Sequence, residues 1–204
     1  NTIADKLRPT LERDRIFADS LEHRPVILGY VFTTDFGNGN NQSQGQLPVP
    51  IMQGATSRFP YLDFPKAVAY TSNYGMYAQA AADQGFFSNP NDEDGSFRRI
   101  WLAREYKGNL YASLDLAILQ ILQNQAPLKF VFDTNDPHKY DAQHLDGVAI
   151  GDAMIPVNHD MAALVPYRGP VGSFPYVSAE KVMDGTADAK TLANAIVYVG
   201  TSAS

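Results

Sequence analysis

The chain has 204 residues, no cysteine, and a formal net charge of −6 from 16 basic and 22 acidic side chains. The lack of cysteine excludes disulfide bonds, thiolate metal sites and a cysteine nucleophile. Because the charges are interspersed and form no basic stripe, nucleic acids and anionic membrane surfaces are poor partners.

The length predicts a single domain, residues 1–204, that needs no covalent staple. A domain of this size buries roughly 70% of the surface that its unfolded chain exposes. The longest apolar runs, such as residues 195–199, are far shorter than the roughly 20 residues of a membrane-spanning helix. The composition therefore indicates a globular domain with a sizeable core.

The first predicted elements are a helix over residues 10–23 and a strand over residues 26–32. Apolar positions recur at helical spacing in the first segment, at Leu11, Ile16, Phe17 and Leu21. Pro25 cannot continue a helix and ends it. The second segment is nearly continuously apolar, which is typical of a strand covered on both faces.

A long irregular loop is predicted over residues 35–65. Residues 37–46 are polar and rich in turn formers, so they are expected to contribute no core. Four prolines follow: Pro48, Pro50, Pro60 and Pro65. We expect a surface excursion of the kind that is often functional in compact domains.

The middle of the chain alternates between strand and helix patterns. The predicted elements are a strand over 67–72, a helix over 74–83 ended by Gly85, a strand over 98–106, a turn at 107–109, a helix over 114–124 and a strand over 128–132. Ser113 is the predicted N-cap of the helix over 114–124, which has the clearest amphipathic pattern of the chain.

A β-hairpin is predicted over residues 147–157. Gly151 precedes Asp152 between two apolar runs, and glycine at the first turn position is what a type II′ turn requires. A hairpin combined with strand–helix alternation indicates an α/β, mixed α+β class, with a mixed β-sheet flanked by helices.

The last predicted elements are a helix and a strand near the C-terminus. Ser178 is the expected N-cap of the helix and Gly185 its end. Residues 195–199 are β-branched and apolar, and we expect them to form a buried central strand that ends at Gly200.

An acidic turn over residues 89–95 suggests calcium binding at first sight. With Gly95 at the sixth position of an EF-hand loop, however, the first and twelfth ligands would be Pro90 and Trp101, which carry no side-chain oxygen. A turn is therefore expected. Arg98 and Arg99 follow it on opposite strand faces, so one is predicted to pair with Asp92 or Asp94 of the turn. The other could reach an anionic ligand, but a structural role is the preferred interpretation.

No catalytic, metal or cofactor site is predicted. Ser202 lies after a predicted strand, but all four histidines precede it, the reverse of the order in α/β-hydrolases. The spacings of His138, His144 and His159 match no zinc motif. The glycine-rich segments fit no nucleotide-binding loop.

Several short segments, in a constant order, are similar to type-2 CHASE domains. Asp92, Asp94, Gly95, Arg98 and Arg99 match an Asp-x-Asp-Gly-x-x-Arg-Arg stretch. The other matching segments are residues 25–30, 85–86, 111–114, 167–170, 174–178 and 199–203. The resemblance covers residues 14–204 and implies that the family's N-terminal strand–helix–strand portion and C-terminal end lie outside this chain.

The resemblance also implies a function and its partners. The domain would be a non-catalytic, extracytoplasmic (periplasmic) sensor of a bacterial inner-membrane receptor. It would bind a small-molecule or periplasmic protein ligand. The output would be an adenylate/guanylate cyclase, a histidine kinase or a serine/threonine kinase. Further expected partners are the parent's transmembrane helices and output domain and a second copy, and no nucleic acid. Arg98, Arg99 and Arg168 are the candidate ligand-binding residues.

Two rival functions remain open from the sequence alone. One is a secreted hydrolase or metal-dependent enzyme that uses the acidic and histidine-bearing segment near residues 133–160. It lacks a convergent set of acid, base or ligand residues in the sequence. The other is a structural or dimerisation module without a ligand, which a fold without a concave polar pocket would favour.

Overall fold

The computed structural model describes residues 3–34, 42–89, 92, 94–133, 144–170 and 172–201. The chain divides into two compact units, Asn1–Val165 and Pro166–Ser204. The single sensor domain over 1–204 stays a prediction.

The described helices and strands follow one another in this order: α1 (Ile3–Leu21), β1 (Ile27–Thr33), α2 (Ala55–Arg58), β2 (Ala69–Thr71), α3 (Gly75–Ala80), β3 (Asp83–Phe86), β4 (Arg99–Trp101), β5 (Ala103–Tyr106), β6 (Asn109–Ala112), α4 (Leu114–Leu122), β7 (Leu128–Phe132), β8 (Leu145–Ile150), β9 (Ala153–Pro156), β10 (Ala162–Leu164), α5 (Ala179–Met183) and α6 (Ala189–Leu192). The last two belong to the smaller unit, and all the others belong to the larger one.

The strands form several small sheets. In the first sheet, β1 lies between β2, which is antiparallel to it, and β3, which is parallel to it. A second sheet consists of the antiparallel strands β7, β8 and β9. Two antiparallel pairs, β10–β4 and β5–β6, complete the described strands. With the helices between them, these sheets confirm the mixed α+β class, and β2–β1–β3 is a mixed sheet.

The first helix and strand are confirmed, with one correction. α1 ends at Leu21, before Pro25, and begins earlier than predicted. β1 is not covered on both faces: Tyr30 and Phe32 are buried, whereas Val31 between them is 36% exposed. Only the face that points to the core is covered, because side chains of a strand alternate between its two faces.

The long loop is confirmed as irregular but is not a surface excursion. Within residues 42–65, α2 is the single regular element described. Met52, Ala55, Leu62 and Phe64 of this segment are nevertheless buried in the main core. Apolar side chains between the prolines enter the core without regular structure. Of the predicted polar stretch, residues 37–41 lie outside the described part of the chain.

The helix predicted over 74–83 is shorter, and Gly85 does not end it. α3 stops at Ala80, and Gly85 lies inside strand β3. A Cβ atom built on Gly85 would lie 2.4 Å from the Cα of Leu114, closer than any real contact. The glycine is therefore needed for the close approach of β3 to the start of α4.

Turns and caps with local sequence signals are confirmed. Lys107 and Gly108, both with positive φ, connect β5 to β6. Gly151, with φ 56°, begins the turn between β8 and β9, as a type II′ turn requires. The side-chain oxygen of Ser113 accepts a hydrogen bond from the backbone N–H of Leu116 and caps α4.

In the smaller unit, the predicted helix is confirmed and the predicted strand is wrong. Ser178 caps α5 by accepting a hydrogen bond from the backbone N–H of Lys181 at 3.3 Å, and Gly185 follows with φ 68°. Residues 195–199 form no strand, and no described strand pairs with them. β-Branched side chains favour extended backbone, but a strand also requires a hydrogen-bonded neighbour.

The β5–β6 hairpin lies between two apolar clusters of the larger unit. Ala103, Leu110 and Ala112 belong to the main core. Tyr106 and Tyr111 point to the other face and belong to a second group, called here the aromatic cluster: Tyr30, Phe32, Ala67, Phe86, Tyr106 and Tyr111. Because strand side chains alternate, one hairpin contributes to both clusters.

Candidate functional site

A buried arginine lies in the aromatic cluster. Arg104, in β5, is 1% exposed and has the largest side chain among the fully buried residues described. It is paired in register with Tyr111 and shares its strand face with Tyr106. Strand alternation therefore directs its guanidinium to the aromatic side of the hairpin.

Two rings and one carbonyl oxygen contact the guanidinium of Arg104. Its Cζ lies 4.7 Å from the centroid of the Trp101 ring and 5.7 Å from that of Phe32. Its Nη2 donates a hydrogen bond to the carbonyl oxygen of Lys66 at 2.5 Å. A desolvated cation–π contact is worth about 2 kcal/mol, so these rings stabilise the cation in part.

The contacts of Arg104 do not include a carboxylate. Among the described residues, no aspartate or glutamate forms an ion pair with it, and its Nε–H has no acceptor. Burial lowers the pKa of Arg104 to about 10, so the group is still a cation at neutral pH. Burying an unpaired ion costs several kcal/mol, more than the ring contacts offset.

A second buried polar group without a partner lies in the same cluster. Tyr30 is 2% exposed, and its hydroxyl has no hydrogen-bond partner among the described residues. Burial, and then the neighbouring Tyr111 and Asp83, raise the pKa of Tyr30 far above its usual value, so the phenol is neutral. Tyr30 and Arg104 both pack against Phe32, the ring centroids of Tyr30 and Phe32 being 5.2 Å apart.

An open groove lies on the opposite face of the hairpin. Its volume is about 260 Å³, and its lining includes Tyr61, Asp63, Phe64, Lys66 and Glu105. Lys66 is paired in parallel register with Glu105, which directs both side chains to the same side. Lys66 therefore lines this groove, and its backbone carbonyl oxygen accepts the hydrogen bond from the buried guanidinium.

Arg98 anchors the acidic turn, as predicted for one of the two arginines. It donates from Nη1 and Nη2 to both carboxylate oxygens of Asp94, at 3.0 and 2.7 Å, and from Nη1 to Asp92 at 2.8 Å. The Arg98 guanidinium is the main cause that lowers the pKa of Asp94 to about 2. Its donors are thus directed at the turn itself.

The other two candidate arginines, Arg99 and Arg168, belong to different units and are described separately. Arg99 follows Arg98, and its Nη1 lies 3.8 Å from the second carboxylate oxygen of Asp92. Arg168 is exposed in the smaller unit. Ligand binding by Arg98, Arg99 and Arg168 stays a prediction.

The candidate site around Arg104 was missed by reasoning from sequence. A signal was present, because Arg104 lies two residues before Tyr106 in an alternating segment and so occupies the same strand face. The alternating pattern does not show which residues from distant parts of the sequence pack against that face. It therefore could not show that Arg104 lacks an acidic partner.

The alternative of a metal-dependent enzyme gains no metal site in the described residues. They contain no group of three histidine, aspartate or glutamate side chains able to hold a metal ion. The Nε2 of His159 lies 3.2 Å from a carboxylate oxygen of Asp160, its neighbour in the chain. His138, Pro90 and Ser202 lie outside the described part of the chain.

Across the described residues, no helix combines the length and the apolar character needed to cross a membrane. Comparison with curated proteins and with solved structures gave no match. The family model described as the CHASE2 domain matches residues 2–204, so the chain belongs to the CHASE2 family of extracellular sensory domains found in receptors.

Proposed function

We propose that this chain is the extracytoplasmic signal-input domain of a bacterial membrane-bound receptor whose output is an adenylate or guanylate cyclase. The family match over residues 2–204 is the observation that carries the proposal. The domain faces the periplasm, does no chemistry itself, and relays the binding of a small molecule or a periplasmic protein. Its other partners are the parent's membrane helices, its output domain and a second copy of the chain.

Signal relay of this kind needs two conformations that the ligand binds unequally. The difference between the two affinities sets how far the equilibrium shifts. Buried polar groups without partners, such as those of Arg104 and Tyr30, support the proposal, because a bound ligand can supply the missing partner in one conformation. The candidate arginines 98, 99 and 168 are further places where an anionic ligand could bind.

The test uses the parent receptor in bacterial membranes. Alkaline phosphatase, which is active only outside the cytoplasm, is inserted at the hairpin turn between Ile150 and Ala153. We expect phosphatase activity in intact cells and cyclic nucleotide synthesis by the membranes. Replacing residues 2–204 with a flexible linker should abolish the response of synthesis to periplasmic extract and leave basal synthesis in place.

Two outcomes would contradict the proposal. Autophosphorylation from ATP without cyclic nucleotide synthesis would assign the output to a histidine or serine/threonine kinase instead. Phosphatase activity that appears only after the fusion is exported by an added signal sequence would contradict the extracytoplasmic location.

A further inference from the structure

We propose that the aromatic cluster contains a binding site for a small anion, held between the Nε–H of Arg104 and the hydroxyl of Tyr30. The inference deepens the proposed sensory function by naming a ligand class, and its meaning as a signal rests on that function. Binding itself is a property of the chain and can be tested without the receptor.

The positive charge of Arg104 has no negative partner among the described residues. Arg104 is buried, carries a positive charge, and forms no ion pair with a described acid. Asp83 lies close enough to act on Tyr30, but it is not among the groups that act on Arg104. The rings of Trp101 and Phe32 compensate a cation only in part. A negative charge is what the guanidinium lacks.

The Nε–H of Arg104 and the hydroxyl of Tyr30 both lack a hydrogen-bond acceptor. Arginine has donors and no acceptor, and the hydroxyl of neutral Tyr30 can also donate. Both groups are buried without a partner and pack against the ring of Phe32. Both unpartnered donors pack against the same ring, so one acceptor placed beside that ring could serve both. A water molecule could accept both bonds but would leave the charge uncompensated, whereas an anion satisfies both needs.

The surroundings limit the size of the ligand. Further aromatic rings pack against Phe32, the ring that Tyr30 and Arg104 both contact: the centroids of Tyr106 and Tyr111 lie 5.9 and 5.7 Å from that of Phe32. A compact anion such as chloride, nitrate, formate or acetate fits such a setting better than a bulky one. A planar oxyanion has several acceptor oxygens, so it can accept one bond from the Nε–H of Arg104 and another from the hydroxyl of Tyr30.

The site has a physical connection to the groove on the other face of the hairpin. The same guanidinium donates from Nη2 to the carbonyl oxygen of Lys66. An anion on Nε would hold the guanidinium in one orientation and, through that bond, the groove wall at Lys66. Occupancy of the buried site can thereby alter an exposed surface.

The experiment uses the intrinsic fluorescence of the 204-residue chain. Trp101 is the only tryptophan, and its ring lies against Arg104, so its emission reports on this site. Sodium salts of chloride, nitrate, formate and acetate are titrated at constant ionic strength, with gluconate as the bulky balancing anion. We expect a saturable change in emission and a rise of several degrees in the thermal midpoint at 100 times the dissociation constant.

Three variants locate the effect. Arg104→Gln should abolish the saturable response, and Tyr30→Phe should weaken binding about tenfold through the loss of one hydrogen bond. Arg15→Gln is the matched control, since it removes one exposed arginine charge from helix α1, where the Arg15 side chain is 81% exposed, and it should bind as the unmodified chain does. If Arg104→Gln does not fold, Tyr30→Phe carries the test.

The arms of the titration separate two sources of the same chemistry. Saturation by formate and acetate alone assigns a carboxylate ligand, and saturation by chloride or nitrate assigns an inorganic anion. No response to any of the four salts, a purely linear response, or unchanged affinity in Tyr30→Phe would overturn the proposal. None of these results depends on the receptor's output, so failure here is distinct from failure of the proposed function.

Discussion

Two arginines in the same stretch of chain, Arg98 and Arg104, have opposite environments. Arg98 is exposed and donates to two carboxylates of a turn that ends just before it. Arg104 is buried among aromatic rings and has no acidic partner among the described residues. The ion pairs of Arg98 are exposed to solvent, so they contribute little to the free energy of unfolding. Arg104 is an uncompensated charge in the core, where the loss of a contact has a large effect on that free energy.

The largest expected effect is that of Arg104→Ala. The substitution removes a packed side chain from between Trp101 and Phe32 and leaves the Lys66 carbonyl oxygen without its donor. We expect the free energy of unfolding to fall by about 3 kcal/mol, measured by urea denaturation. Arg104→Met keeps the packing and removes the unpaired charge, so its loss should be smaller than about 1 kcal/mol. Equal losses in both variants would contradict an uncompensated charge at this position.

The ring contact of Trp101 should have the next largest effect. Trp101→Leu removes the aromatic face that contacts the guanidinium of Arg104 and should lower the free energy of unfolding by about 2 kcal/mol. Trp101→Phe keeps an aromatic face and should recover about half of that loss. The measurement is urea denaturation followed by circular dichroism, because both variants lack the fluorescent side chain. Indistinguishable stabilities of the two variants would exclude a cation–π contribution.

Removal of the Tyr30 hydroxyl should have a smaller effect of opposite sign. In a buffer whose only anion is bulky gluconate, the buried hydroxyl has no partner, and burying it unpaired is unfavourable. Tyr30→Phe should therefore leave the free energy of unfolding unchanged or raise it by up to about 1 kcal/mol. A loss above 1 kcal/mol in gluconate buffer would show that the hydroxyl already has a partner in the chain.

The exposed arginine should have the smallest effect, and that effect should depend on pH. Arg98→Ala is expected to change the unfolding midpoint only slightly at neutral pH, because exposed ion pairs contribute little. Arg98 lowers the folded-state pKa of Asp94 to about 2, so the stabilisation is present above the unfolded pKa near 3.9 and is lost as the pH falls through 2. Carboxyl NMR titration should show the Asp94 midpoint return toward its usual value in Arg98→Ala, and an unchanged midpoint would contradict the pairing.

The features that could be predicted depend on neighbours in the chain. The side chain of Ser113 caps α4 through a residue three positions away, and Lys107-Gly108 and Gly151 form turns whose geometry their own backbones dictate. The pairing of Arg98 with the acids before it also lies within a few residues. Such contacts need no knowledge of the rest of the fold, so residue type and spacing are sufficient to predict them.

The features that were missed depend on partners far away in sequence. Gly85 lies in a strand because the start of α4 at Leu114 approaches its backbone. Leu62 and Phe64 enter the core from a segment without regular structure. For Arg104, alternation indicated the face, but the two rings that contact its guanidinium, Phe32 and Trp101, come from β1 and β4.

The amino-acid sequence by itself determined the family, the mixed α+β class, and the local turns and helix caps, because these follow from residue chemistry over a few positions. Tertiary structure alone decided which strands pair, why residues 195–199 form no strand, and that a buried cation meets aromatic rings and no described acid. The reason is physical. Burial and pairing free energies depend on which distant groups come together, and a linear pattern of residues does not contain that information.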